Sequence, residues 1–267
     1  MDLYETLDKA MRSNNRVLTD CPGCTKPCED YLLSEPDLNL FIVLDGITRP
    51  HGEYKDAPGK SAACEVNEIF VENAVRHIRD NVNEPDAEKL LRAAVKAGND
   101  EIRAFRVQKD LAKWVFYPGT LGIIALIRNS RLHYICAGDC VGMIVRGSSK
   151  ICFGEQLSLA ALELLKPNKK ERYLKYCNHP ENDLSYTIFN GDECVPEHCE
   201  YAYIDLQQDD MVILGSDGIK NYLKYEKIAV IKNTQTERLI DLSETYDLHP
   251  YGEYGDDKSL MKFTFRG

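Results

Sequence analysis

The segment Leu40-Phe41-Ile42-Val43-Leu44-Asp45-Gly46 runs an unbroken apolar stretch straight into an Asp-Gly pair. Such a run, closed by a turn dipeptide, reads as a buried strand with a turn at its end. Working outward, the hydrophobic period changes. Residues 61–81 place Ala62, Val66, Ile69, Phe70, Ala74 and Ile78 on one helical face. Residues 86–107 do the same with Leu90, Leu91, Ala94, Val95, Ile102 and Phe105, and Asp86, between Pro85 and Glu88, marks a helix start. Then come three β-rich runs, Leu121 to Ile127, Leu132 to Cys136 and Val141 to Val145, separated by Arg128-Asn129-Ser130 and Gly138-Asp139. They predict consecutive antiparallel strands. The stretch 153–200 is polar and irregular, an insertion of helices and loops over the core. Strand character returns at Tyr201 to Leu206, Met211 to Leu214 and Leu260 to Phe265. This order predicts an α+β fold with sheet packed on sheet and helices outside, not an alternating βαβ fold. No repeat or linker divides the chain, so residues 1–267 read as a single domain.

Composition agrees with an ordinary globular protein. The chain has 267 residues, 43 % hydrophobic and 28 % charged, enough for a sizeable core. Its formal charge of −10 lacks the footprint of a nucleic-acid binder, and no polybasic stretch suits a membrane surface, so neither partner is expected. The start, Met1-Asp2-Leu3-Tyr4-Glu5-Thr6, has no basic segment ahead of an apolar one, and the longest apolar runs fall short of the ~20 residues of a membrane span. A cytoplasmic protein with reduced thiols is the expectation.

There are ten cysteines. Cys21, Cys24 and Cys28 have a C-x2-C-x3-C spacing that could hold three thiolates around a structural zinc ion. A fourth ligand could come from Cys177, His179, Cys194, His198 or Cys199. The plainer reading is free thiols in a loop and in the core.

Carboxylates recur where apolar strands end. Asp45 and Gly46 close one strand, Gly138-Asp139 lies between two, and Ser216-Asp217-Gly218 ends Met211 to Gly215. Asp256-Asp257 precedes the last strand, and Glu29-Asp30 precedes Tyr31-Leu32-Leu33. Any single one is an ordinary turn. Buried together they would need cations between them, and an all-oxygen set suits Mg²⁺ or Mn²⁺ better than zinc.

These segments, in this order, resemble the metal-dependent serine/threonine protein phosphatases, the PPM or type 2C family. Phe41 to Gly46 resembles its "FxVxDG" strand and turn, and Pro118-Gly119-Thr120 its "sGTT" segment. Leu132 to Cys140 resembles "vanvGDS", and His179-Pro180 to Leu184 resembles "hp..n.lt". Asp209 to Gly218 resembles "GDxxLLcSDGl", and Asp256 to Ser259 resembles "DNiT". The resemblance implies a four-layer αββα sandwich, with a binuclear Mn²⁺ or Mg²⁺ centre at one edge of two antiparallel sheets. It implies hydrolysis of phosphoserine and phosphothreonine in protein substrates, by attack of a metal-bridging water or hydroxide. By position, Asp45 would bridge both metals and the Gly46 carbonyl would bind one. Asp217 and Asp256 would complete the other, Asp30 would hold metal-bound waters, and Asp139 with Asp217 would form a third, weaker site.

The chain departs from the family in places. Thr25 stands where the family carries a phosphate-gripping Arg, leaving Lys26, Arg16 or Arg49 to substitute. The segment after Gly46, Ile47 to His51, differs from the family's, and His51 is a candidate proton donor to the leaving alkoxide. These departures leave an alternative, a catalytically impaired module with the same fold that binds or regulates. Cys140 to Arg146 also satisfies C-x5-R, the pattern of cysteine phosphatases. That chemistry needs a phosphate-cradling loop entering a helix, whereas these residues are β-prone, so a strand is expected.

Overall fold

The computed structural model describes residues 3–13, 27–47, 61–110, 117–247 and 256–267. Ten strands form two antiparallel five-stranded sheets. One runs β2(Asp30–Glu35)-β3(Leu40–Gly46)-β4(Thr120–Arg128)-β5(Arg131–Ala137)-β8(Glu200–Asp205). The other runs β1(Tyr4–Arg12)-β10(Lys258–Phe265)-β9(Met211–Gly215)-β6(Val141–Arg146)-β7(Ser149–Phe153).

β3 explains the layering. Its residues alternate between two cores, as the two-residue period of a strand requires. Leu40, Ile42 and Leu44 pack against α1(Ala62–Asp80) and α2(Ala87–Gln108), meeting Val66, Phe70, Leu91 and Ile102. Phe41 and Val43 turn the other way, into the space between the sheets, with Ile123, Ile144, Leu214 and Phe263. The Phe41 and Phe263 rings stack with centroids 4.1 Å apart. Beyond the second sheet, Val141, Met143, Ile213 and Leu260 meet Ile219 and Leu223 of α6(Asp217–Tyr225) and Leu239 and Ile240 of α8(Thr236–Asp247). Ile231 of α7(Ile228–Asn233) joins this outer core. The result is the expected αββα sandwich, and β3 reads as one apolar run because both of its faces are covered.

The two large helices begin where their caps lie. Ser61 accepts from the Cys64 N–H at 3.3 Å, and Asp86 from the Lys89 N–H at 3.1 Å. The stretch predicted as an irregular insertion opens on Phe153, the last residue of β7(Ser149–Phe153). It then carries three short helices, α3(Leu157–Leu165), α4(Lys169–Tyr176) and α5(Val195–His198). It covers one end of the sandwich, where Leu159, Leu162, Tyr186 and Ile188 pack on Ile47 and Leu121. Phe189 pairs with Thr120 by backbone hydrogen bonds of 2.9 and 3.1 Å. Among the described residues no helix is long and apolar enough to cross a membrane.

Candidate metal centre

The carboxylates reach one end of the sandwich by different routes. Asp45 follows Phe41 and Val43 on the inter-sheet face of β3, at the strand's end, and its antiparallel partner on β2 is Asp30. Asp139 sits in the turn carrying the chain from β5 in one sheet to β6 in the other. Asp217 opens α6 directly after β9, and Asp256 lies two residues before β10. One ligand oxygen each from Asp45, Asp139 and Asp217 falls within 4.8 Å of the others. All three line a cleft of about 290 Å³ with Gly46 and Asp256. Asp30 lies beneath, 5 % exposed.

Close backbone approaches build this end. Gly46 donates its N–H to the Glu29 carbonyl at 2.9 Å. A Cβ at Gly46 would sit 2.6 Å from that oxygen and 2.9 Å from the Ala63 side chain, so the turn admits only glycine. Gly218 lies against the Asp257 carbonyl with no room for a Cβ, which brings the start of α6 onto the segment bearing Asp256. Asp257 turns inward instead, accepting from the Glu29 N–H at 2.9 Å. Of the adjacent pair, Asp256 is the one that lines the cleft.

The electrostatics are those of anions short of cations. Burial pushes Asp45 well above the usual carboxylate range, and the neighbouring Asp217, Asp30, Asp256 and Asp139 push it further. Burial carries Asp30 up to about 7, and the neighbouring Asp257 and Asp256 push in the same direction. Asp139 is raised by burial and held back by Lys220 and Arg172. Neither oxygen of Asp30 nor Oδ1 of Asp139 has a hydrogen-bond partner among the described residues.

The remaining candidates fall in three groups. Lys26, Arg49, His51, Arg16, Thr25, Cys21 and Cys24 lie outside the described residues. The Cys28 carbonyl accepts from the Cys64 thiol at 3.3 Å. Cys177, His179, Cys194, His198 and Cys199 are not gathered, and the Asp trio is the one ligand group among the described residues. Val141–Arg146 of the C-x5-R segment form strand β6, as expected, with Cys140 just ahead of it. Cys140 is fully buried, its thiol pushed far up by burial and then by Asp45. Arg146 is committed to the buried Asp210, with Nη2 2.6 Å and Nε 2.9 Å from its oxygens.

Sequence reasoning missed the cleft's one basic lining residue among those described. Arg172, on α4 of the insertion, faces the cleft with Tyr173 and Tyr186. The only local signal was the cap at Asn168, which accepts from the Glu171 N–H at 2.9 Å and marks a helix start.

No protein-family model matches the sequence. No curated protein matches it. Solved structures do. The Mycobacterium tuberculosis serine/threonine phosphatase PstP/Ppp superposes with a TM-score of 0.67 at 19 % identity, covering 98 % of this chain and 99 % of its own. The PstP catalytic domain, solved with two manganese ions, gives 0.62 at 18 %, covering 97 % and 98 %. The PPM Ser-Thr phosphatase MsPP of Mycobacterium smegmatis gives 0.60 at 13 %, covering 99 % of both chains. With two five-stranded antiparallel sheets between helical layers and end-to-end superposition, this chain has the fold of the PPM serine/threonine phosphatases.

Proposed function

We propose that this chain is a Mn²⁺- or Mg²⁺-dependent phosphoprotein phosphatase acting on phosphoserine and phosphothreonine. The convergence of Asp45, Asp139 and Asp217 in an open cleft, within a fold shared with such enzymes, carries the reading. The residues fit a hard divalent ion. The donor set is all oxygen, Asp30 and Asp139 hold buried oxygens without hydrogen bonds, and burying these anions together is costly without a cation.

In this reading Asp45 would contact two ions and the Gly46 carbonyl one of them. Asp217 and Asp256 would hold the other, Asp30 would orient metal-bound waters from beneath, and Asp139 with Asp217 would take a third. The PstP domain with two manganese ions is consistent with two principal positions. Bound there, such ions lower the pKa of water towards neutrality, neutralise phosphoryl charge and orient in-line attack. The chain itself supplies a rigid set of carboxylates on strand ends and a cover, residues 157–188, that narrows access to them. Where the chain departs from the family, His51 would protonate the leaving alkoxide, and Lys26, Arg16 or Arg49 would hold the phosphate in place of the family's arginine.

The test is hydrolysis of p-nitrophenyl phosphate and of a phosphopeptide, with and without Mn²⁺, by wild type and Asp217→Asn. Mn²⁺-dependent hydrolysis that is lost in D217N is expected. Protein that binds Mn²⁺ yet hydrolyses neither substrate would move the chain to the alternative reading, a regulatory module.

A further inference from the structure

We propose that Arg172 binds the phosphoryl group of the substrate, reaching across the cleft from the insertion towards the carboxylates. The inference rests on the phosphatase reading for its substrate and on the structure for its residue.

Arg172 is unlike every other described arginine. Arg12, Arg79, Arg131, Arg146, Arg238 and Arg266 each donate to a carboxylate. Arg92, Arg103, Arg106 and Arg128 hold backbone carbonyls, and Arg76 holds Asn73. Arg172 alone among them has a guanidinium with no hydrogen bond or ion pair among the described residues. It stands over the Tyr186 ring, with Cζ 5.3 Å from the centroid. That lies within cation–π range and steadies the group while leaving its N–H fork available.

The position makes the spare fork meaningful. Arg172 lines the same cleft as Asp45, Asp139, Asp217 and Asp256. It is near enough to Asp139 to hold that carboxyl down, yet it makes no ion pair with it. A guanidinium in a cleft of carboxylates that stops short of them leaves a gap between cation and anions. A phosphate monoester on the metal side of that gap would meet planar, bidentate donors on the other, the geometry arginine offers phosphate. Among the described residues the other cation acting on Asp139 is Lys220, and it is engaged, donating to Glu155 at 3.1 Å. Thr25, where the family has its arginine, provides no charge.

The test measures binding apart from turnover. Inorganic phosphate is titrated calorimetrically into Mn²⁺-loaded wild type, R172A, R172K and R172Q, and p-nitrophenyl phosphate kinetics are run in parallel. R172A should weaken phosphate binding about tenfold to a hundredfold, the loss of a charge-assisted hydrogen bond or two. KM should rise by a similar factor and kcat change less. R172K should recover part of the loss, as a point charge without the fork. Mn²⁺ affinity measured without phosphate should not weaken, because removing a nearby cation does not disfavour divalent ions. R172Q keeps the stem beside Tyr186 and carries the test should R172A fail to fold. Phosphate affinity within twofold of wild type in R172A and R172Q would overturn the proposal. So would Mn²⁺ affinity falling in step with phosphate affinity, or wild type that binds no phosphate. Wild type that binds phosphate through Arg172 but hydrolyses nothing would sink the phosphatase reading and leave this one standing.

Discussion

Asp30 and Asp45 are direct antiparallel partners across β2 and β3, two carboxylates side by side at the buried end of a sheet. Like charges at such positions destabilise a sheet, and here burial adds its own cost. Burial and the neighbouring Asp257 and Asp256 raise Asp30 to about 7, against an ordinary value near 3.8. A carboxyl raised in the folded state binds a proton that the unfolded chain releases, so protons favour the fold. Its contribution is fully present below about pH 4 and lost as pH rises through 7. Metal-free protein in chelator should therefore lose stability across that window, at about 2–4 °C in Tm for each kcal/mol. Asp30→Asn should flatten the slope and melt above wild type at pH 8. Thermal melts of both proteins from pH 5 to 8 check this, and parallel curves would refute it.

Asp45→Asn separates stability from function at the same place. The substitution removes a half-buried negative charge that Asp217, Asp30, Asp256 and Asp139 all oppose. Metal-free D45N should be more stable than wild type by about 1–3 kcal/mol in urea melts near pH 8. Its Mn²⁺ affinity should fall at least about tenfold, and hydrolysis at least about a hundredfold. D45N that is both less stable and still fully active would contradict the shared-site reading.

Both effects come from residues legible in the sequence, because strand-end carboxylates leave a local trace. β3 and the two large helices were legible for a related reason, in that each buries faces at its own period. β1 was not. It is a charged edge strand, Tyr4–Arg12, with an irregular register between Glu5 and Asp8 that breaks alternation. The order α6, α7, α8 left little periodic signal, since two of the three have nine residues or fewer. Arg172 was hidden more deeply. Nothing around Lys169 to Tyr176 says that its fourth residue faces a cleft. That follows from Leu159, Leu162 and Ile188 docking the insertion on Leu121 and Ile47, a tertiary relation no local pattern records.

Arg146 tests the discarded cysteine-phosphatase pattern. Its guanidinium grips both oxygens of Asp210, which is 1 % exposed and also accepts from the Gln207 N–H at 2.8 Å. Removing one partner of such a pair leaves a buried charge unmatched. Arg146→Ala should cost about 2–4 kcal/mol in denaturant melts, while KM for p-nitrophenyl phosphate stays within about twofold where the protein is folded. A large KM change in folded R146A would reinstate Arg146 as a phosphate ligand. Cys140→Ser should likewise leave hydrolysis in place, since a thiol this deeply buried is no nucleophile.

Gly218→Ala probes how the two halves of the proposed site are held together, without touching a carboxylate. Asp217 opens α6, Asp256 precedes β10, and Gly218 lies against the Asp257 carbonyl where those segments meet, beside the Ser216–Ser259 hydrogen bonds. A methyl group there meets backbone rather than a flexible side chain, so it cannot be absorbed by a rotamer change. The start of α6 must lift, or residues 256–258 must move. Either shift separates Asp217 from Asp256 and disturbs Asp257, which holds the Glu29 N–H beside Gly46. The expected cost is about 1–3 kcal/mol in stability, the usual range for overpacking. Mn²⁺ affinity should fall together with hydrolysis, because misplacement of about 1 Å at a catalytic set is expensive. Alanine at position 218 should do this although every proposed ligand is intact. Calorimetric Mn²⁺ titration of folded G218A decides it, and unchanged affinity would mean that Asp217 and Asp256 do not act on a common ion.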